Sequence, residues 1–225
     1  MSGAVQVDVV RVFTDAAGGL GNELGVIRQW PAGREQEITA VLGFSESVFV
    51  SGIADGVASM RIFTPAGELP FAGHPCVGAA WWAASQGTPL VALDVAAGRV
   101  AVRADGELTW IAGRAEWTPD FAFSELPDAA AVDALDPHAF TEGTHYLWAT
   151  MPDGRLRARM FARSMGILED QATGAAAVRL TSVLGRDLAI VQGLGAELFT
   201  RVLPDGFVEV GGRTAFDRAL ELPLP

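Results

Sequence analysis

Apolar and polar residues alternate over residues 5–13, and an apolar run follows at 24–27 after the Gly-rich turn Ala17-Gly18-Gly19-Leu20-Gly21-Asn22. Similar strand-like runs recur at 47–51, 58–63, 90–95, 99–104, 107–111, 146–150, 156–161, 187–191, 197–203 and 207–211. A period near two predicts strands for all of them. Three stretches break that rhythm. Residues 34–42 read as a short helix, and residues 75–86 as a helix apolar on every side that stops at Gly87. Residues 172–184 read as a second small-residue helix, stopping at Gly185 and carrying Arg179, Thr181 and Ser182. A helix without a polar face needs burial all round, and the economical cover is a sheet wrapped about it. The pattern therefore predicts an α+β chain of two similar units, each a mostly antiparallel sheet around one central helix. A break near Asp105-Gly106 divides the chain into residues 1–106 and 107–225, with the last strand or tail free to cross back to the first unit. Residues 64–70 read as a turn-rich connection, and 119–137, rich in Ala, Asp and Pro, as a loop or weak helix.

The two apolar helices share an approach. His74 stands four positions before Gly78-Ala79-Ala80, and Asp170 stands four before Gly174-Ala175-Ala176. Met60, Arg61 and Phe63 precede the first; Arg159, Met160 and Phe161 precede the second. Arg61 and Arg159 are 98 positions apart, Gly78 and Gly174 96, a near-constant offset that points to two related half-units. Helix starts carry unpaired N–H groups and a positive partial charge, so two of them facing one cleft would hold a small anion. An enzyme acting on a small carboxylate is the expectation.

Composition narrows the classes. Hydrophobic residues make up 50% of the 225 and charged residues 19%, enough for proper cores and too apolar for a disordered chain. A net charge of −11 without any Lys/Arg run excludes nucleic acid and anionic membrane surfaces as natural partners. No apolar stretch reaches the roughly 18 residues of a spanning helix, and the first residues read as a strand, not a signal peptide. The single cysteine fits a reducing compartment, so a cytoplasmic protein is expected, and it excludes a racemase using two thiols. His138 and His145 lack partners at metal-ligand spacing, so no metal is expected. The glycine-rich turn at residues 18–21 lacks the third glycine of a dinucleotide site, and no cofactor is expected.

Chemistry concentrates at a few positions. Glu46 lies between apolar residues at a strand start, where partial burial would raise its pKa toward the range of a general acid/base; a lone Glu there is more often simply solvated. His74, between a glycine and a proline at a helix entrance, either orients a ligand or is a satisfied structural histidine. Asp170 and Thr173, with Gly73 and Gly174, either converge on a ligand or only cap a helix. Cys76 near a helix start invites a thiolate reading, against the plainer one of a small buried side chain.

Together, Val12-Phe13-Thr14, Gly21-Asn22, residues 45–50, Arg61-Ile62-Phe63-Thr64-Pro65, residues 68–75 and Glu169-Asp170-Gln171-Ala172-Thr173-Gly174 resemble the phenazine biosynthesis PhzF family, within the diaminopimelate epimerase-like superfamily. The resemblance implies two half-barrels with the active site between them, cofactor-free isomerase chemistry and a homodimer. It implies that Glu46 moves a proton between carbons of a small carboxylate, with His74 and Asp170 as its catalytic partners. Ser45, Gly73, Cys76, Thr173, Gly174 and Ala175 are the implied substrate contacts. This chain departs from the family at Ala175 (usually serine), Gln171 and Glu23 (usually proline) and Cys76 (commonly threonine), and its second half is shorter. Those changes leave a second expectation open, a catalytically silent member that binds a metabolite or partner.

Overall fold

A computed structural model describes residues 4–223. In chain order the elements are β1 (Ala4–Thr14), β2 (Asn22–Ile27), α1 (Glu35–Leu42), β3 (Glu46–Ala54), β4 (Val57–Thr64), β5 (Gly67–Leu69), α2 (Gly73–Ser85), β6 (Ala92–Val95) and β7 (Gly98–Asp105). They continue as β8 (Leu108–Arg114), β9 (Ala122–Glu125), α3 (Ala129–Asp133), β10 (His145–Thr150), β11 (Leu156–Ala162), β12 (Ile167–Asp170), α4 (Gly174–Leu184), β13 (Leu188–Gln192), β14 (Ala196–Val202) and β15 (Phe207–Pro223). The result is a sheet-rich α+β fold.

Strand pairing closes a barrel in the order β1, β2, β3, β4, β6, β7, β8, β15, with β15 returning to pair with β1. From β15 the sheet continues through β14, β13, β11 and β10 to β9, while β5 and β12 hang as hairpin partners on β4 and β11. Among the described residues parallel pairing is confined to β2–β3, β4–β6, β9–β10 and β11–β13; the other pairs are antiparallel.

Helix α2 lies inside the barrel against β1, β2, β3, β8 and β15, and ten of its 13 residues are buried, as an all-apolar helix requires. Helix α4 packs on β14, β15 and α2. β1 contributes to two cores, changing face at the irregularity between Val9 and Val10. Val10 and Val12 join the core around α2, while Val5, Val7 and Val9 form a second cluster with Ile38 of α1, Phe49 and Phe63. Among the described residues no helix is long and apolar enough to cross a membrane.

Several expectations change. Helix α2 begins at Gly73, not 75, because Pro75 sits in the first turn, where its missing N–H costs nothing. Helix α4 begins at Gly174, so the helix openings align Gly73 with Gly174, and the Gly78–Gly174 equivalence is wrong. Gly78 lies inside α2 for packing: a Cβ there would come within 2.5 Å of Leu24 Cδ2 and 2.7 Å of Val12 Cγ2. β5, β9 and β12 were missed because three or four residues carry no readable period. β15 runs far past Gly211. The pair Gly211-Gly212 looks like a turn, but each lies under an aromatic ring, with an added Cβ 2.4 Å from Trp110 and 2.5 Å from Phe13 respectively.

Candidate active site

The starts of α2 and α4 abut. A Cβ on Gly73 would lie 3.0 Å from both the Cα and the C of Gly174, and one on Gly174 would lie 3.0 Å from Gly73 Cα and 3.1 Å from His74 N. Only two glycines allow backbones this close. Neither helix receives a side-chain cap, so first-turn N–H groups of both point out of their helices at one junction. Thr173, at the N-cap of α4, makes no side-chain capping bond, and Asp170 accepts the Ala172 N–H just ahead of the helix at 3.4 Å.

Three other elements deliver side chains to this junction. β3 opens with Glu46, and its Oε2 lies 3.4 Å from Nδ1 of His74, the second residue of α2. The His74 side chain is 4% exposed and that of Glu46 18%. His74 Nε2 is buried without a protein partner. β12 ends with Asp170, whose Oδ1 accepts from Asn22 Nδ2 at 2.5 Å and whose Oδ2 accepts from the Thr173 hydroxyl at 2.6 Å. Asn22 also donates to the Ala172 carbonyl at 3.0 Å, which fastens β2 to the chain entering α4.

Burial raises the Glu46 carboxyl above its ordinary value of 4.5, and the negative charge of Asp170 adds to that rise. The His74 ring and a hydrogen bond from Ser45 oppose it, in that order around the Asp170 contribution. A carboxyl held up in this way titrates nearer neutrality, as general acid/base work needs. The linkage sign follows: a raised folded-state value contributes stability below the unfolded value, and that stability is lost as pH rises through the folded one. Glu46→Gln, which mimics the neutral carboxyl, should therefore melt higher than wild type by a margin that widens from pH 4 toward neutrality. Calorimetry across that range checks it, and a pH-independent margin would contradict the burial of this charge.

Ser45 and Ala175 lie partly exposed beside these groups. The Thr173 hydroxyl is internally engaged, donating to Asp170 and accepting from Gln192 Nε2 at 2.7 Å. Cys76 is 0% exposed within the core around α2, and burial pushes its thiol up to about 12. The plainer reading of a small buried side chain holds, and the thiol is not a poised thiolate. Native protein should resist iodoacetamide at pH 8, and Cys76→Ala should keep turnover while losing about 1–2 kcal/mol of stability through the lost sulfur packing. Rapid alkylation of folded protein, followed by mass spectrometry, would contradict this.

The remaining landmarks are structural. Arg61 pairs with Glu68 across β4–β5, and Arg159 with Glu169 across β11–β12, each with a 2.7 Å contact. Glu23 sits in an ion cluster with Arg11 and Arg218, and Gln171 Oε1 accepts the Leu194 N–H at 2.8 Å. The residues that sequence reasoning missed are Asn22, Gln192 and Tyr146. Asn22 had its turn motif and its place in the Gly21-Asn22 segment of the family resemblance as signals, and the other two had none. Among the described residues no three His, Cys, Asp or Glu side chains group as a metal site.

Comparison with known proteins gives the family and the fold. Residues 10–118 match the sequence model of the PhzC-PhzF family, phenazine biosynthesis-like proteins. A trans-2,3-dihydro-3-hydroxyanthranilate isomerase of Pseudomonas fluorescens is 32% identical over 211 residues, 76% of each chain. One from Pseudomonas chlororaphis is 32% identical over 206 residues, 74% of each. Among solved structures, a PhzC/PhzF protein from Clostridium difficile superposes with TM-score 0.79 at 18% identity, over 98% of this chain and 100% of that one. A hydroxyproline epimerase from Agrobacterium vitis gives TM-score 0.65 at 12% identity, over 98% and 93%. Those two show the shared fold.

Proposed function

This chain belongs to the phenazine biosynthesis-like PhzC-PhzF family and is an isomerase, and from that premise we propose that it moves a proton between two carbons of a small carboxylate without a bound cofactor. The substrate carboxylate lies against the N–H groups of the two helix starts, whose partial positive charge stabilises it and the charge that develops next to it. Glu46, ionised, takes a proton from carbon and, protonated, returns it to another. His74 Nε2 holds a polar group of the substrate, and the negative charge of Asp170 favours proton uptake by Glu46. The observation that carries this reading is the 3.4 Å approach of Glu46 to His74 at the contact between Gly73 and Gly174.

The reading extends to the architecture. The run β2–β3–β4–β6–β7 and the run β9–β10–β11–β13–β14 have the same succession of parallel and antiparallel pairs, with β5 and β12 as matching hairpin arms. This supports two half-barrels that divide near residue 106 and share β15, with the site where they meet.

The relatives' named substrate is the first to test. With trans-2,3-dihydro-3-hydroxyanthranilate and other small ring carboxylates, proton NMR should show isomerisation by wild type. Ala175, where an added hydroxyl would stand at the first turn of α4, favours a second reading as a silent binding protein. Saturable binding of several such carboxylates with turnover of none would support it.

A further inference from the structure

Gln192, the last residue of β13, is a fully buried amide. Its Oε1 accepts from the Tyr146 hydroxyl and from the Thr173 N–H, both at 3.1 Å. Its Nε2 donates to the Asp170 carbonyl at 2.8 Å and to the Thr173 hydroxyl oxygen at 2.7 Å. Two donors on one side and a carbonyl on the other leave a single orientation for the amide; flipped, its NH2 would face an N–H and its oxygen a carbonyl. Tyr146 is itself 0% exposed, and burial keeps its hydroxyl protonated, so it remains a donor.

The consequence passes through Thr173. Because the Thr173 oxygen accepts from Gln192, its own proton is directed to Asp170 Oδ2 at 2.6 Å. Asn22 occupies Oδ1. We propose that Gln192 is a positioning residue for the reaction: by fixing the direction of the Thr173 hydroxyl it holds Asp170 as an acceptor of set orientation opposite Glu46. This rests on the catalytic reading above, and it adds that the second half of the chain reaches the reacting groups through an amide about two bonds removed from them. A structural amide would only tie β13 to the start of α4. A positioning amide also decides which way a proton points.

One atom separates the two roles. Gln192→Glu keeps the shape but replaces the donor with an acceptor, so the Thr173 hydroxyl turns away from Asp170. The test is carbon-13 NMR of the Asp170 carboxyl in the full chain at neutral pH, comparing wild type, Gln192→Glu, Thr173→Val and the double variant. The expected result is that Gln192→Glu moves the Asp170 signal by the same amount as Thr173→Val and that the double variant moves it no further. Where wild type turns over trans-2,3-dihydro-3-hydroxyanthranilate, each single variant should lose roughly 10- to 100-fold in kcat with little change in KM. An Asp170 signal unchanged by Gln192→Glu but moved by Thr173→Val overturns the proposal. If Gln192→Glu does not fold, Tyr146→Phe, which removes one donor from Oε1, should move the signal in the same sense, and no movement overturns it. The catalytic reading fails on a different result, full activity of Glu46→Gln, so the two failures are distinguishable.

Discussion

Glu46→Gln is expected to lower kcat by about 10²–10⁴, the usual worth of a positioned proton-transfer group, while leaving substrate binding within a few-fold. The amide keeps the size and polarity of the carboxyl, so the helix starts and His74 remain in place to grip the substrate; only the capacity to take and return a proton is lost. The same variant should be more stable than wild type near neutrality, because the charge that burial and Asp170 disfavour is gone. Loss of function with gain of stability marks a side chain kept for chemistry. Steady-state kinetics on trans-2,3-dihydro-3-hydroxyanthranilate, with melting curves on the same preparations, read both effects. Unchanged kcat in Glu46→Gln would remove the base from the proposal.

Gly73→Ala and Gly174→Ala should each reduce kcat/KM by about 10²-fold, the scale of a roughly 1 Å misplacement of reacting groups. In each case the new methyl would lie 3.0 Å from backbone atoms of the opposite helix start. Carbon atoms pack at about 3.5–4.0 Å, and backbone cannot rotate out of the way as a side chain can. The helix starts must therefore separate, which spreads the N–H groups and draws His74 from Glu46. Alanine is the better helix former by about 1 kcal/mol, against an overpacking cost of about 1–3 kcal/mol, so the net stability change is small beside the activity loss. Gly78→Ala provides the control. Its methyl meets the ends of Leu24 and Val12 inside the core, so stability should suffer and activity much less. Wild-type kcat/KM in Gly73→Ala would show that close contact of the helix starts is not needed.

Much of this was legible from the chain, for identifiable reasons. The all-apolar segment following His74 could only be a helix enclosed by sheet, and it is. Glu46 stood out as a carboxylate among apolar residues at a strand start, and His74 and Asp170 by their matched spacing before a Gly-Ala-Ala; Glu46 and His74 meet at the junction of the helix starts. Register was less legible: matching Gly78 with Gly174 paired a packing glycine with a contact glycine, because both precede two alanines and sequence does not reveal what a missing Cβ avoids. Cys76 left two readings open because proximity to a helix start says nothing about which side of the helix is enclosed, and the plainer one, a buried side chain, holds. Gln192 and Tyr146 lie 19 or more positions from the groups they orient, and their link to Asp170 arises only when β13 pairs beside β11. Such long-range polar contacts leave no local period or spacing.

The most direct test of the central claim is a crystal structure with 3-hydroxyanthranilate, a planar aromatic analogue that has no sp3 ring C–H for the base to remove. The account predicts its carboxylate within hydrogen-bond distance of the N–H groups at the starts of α2 and α4, with the Glu46 carboxyl against a ring carbon and His74 beside a polar substituent. The analogue seated elsewhere, such as the surface depression lined by Trp110, Arg155 and Arg201, or bound at the junction with Glu46 turned away from its ring, would contradict it.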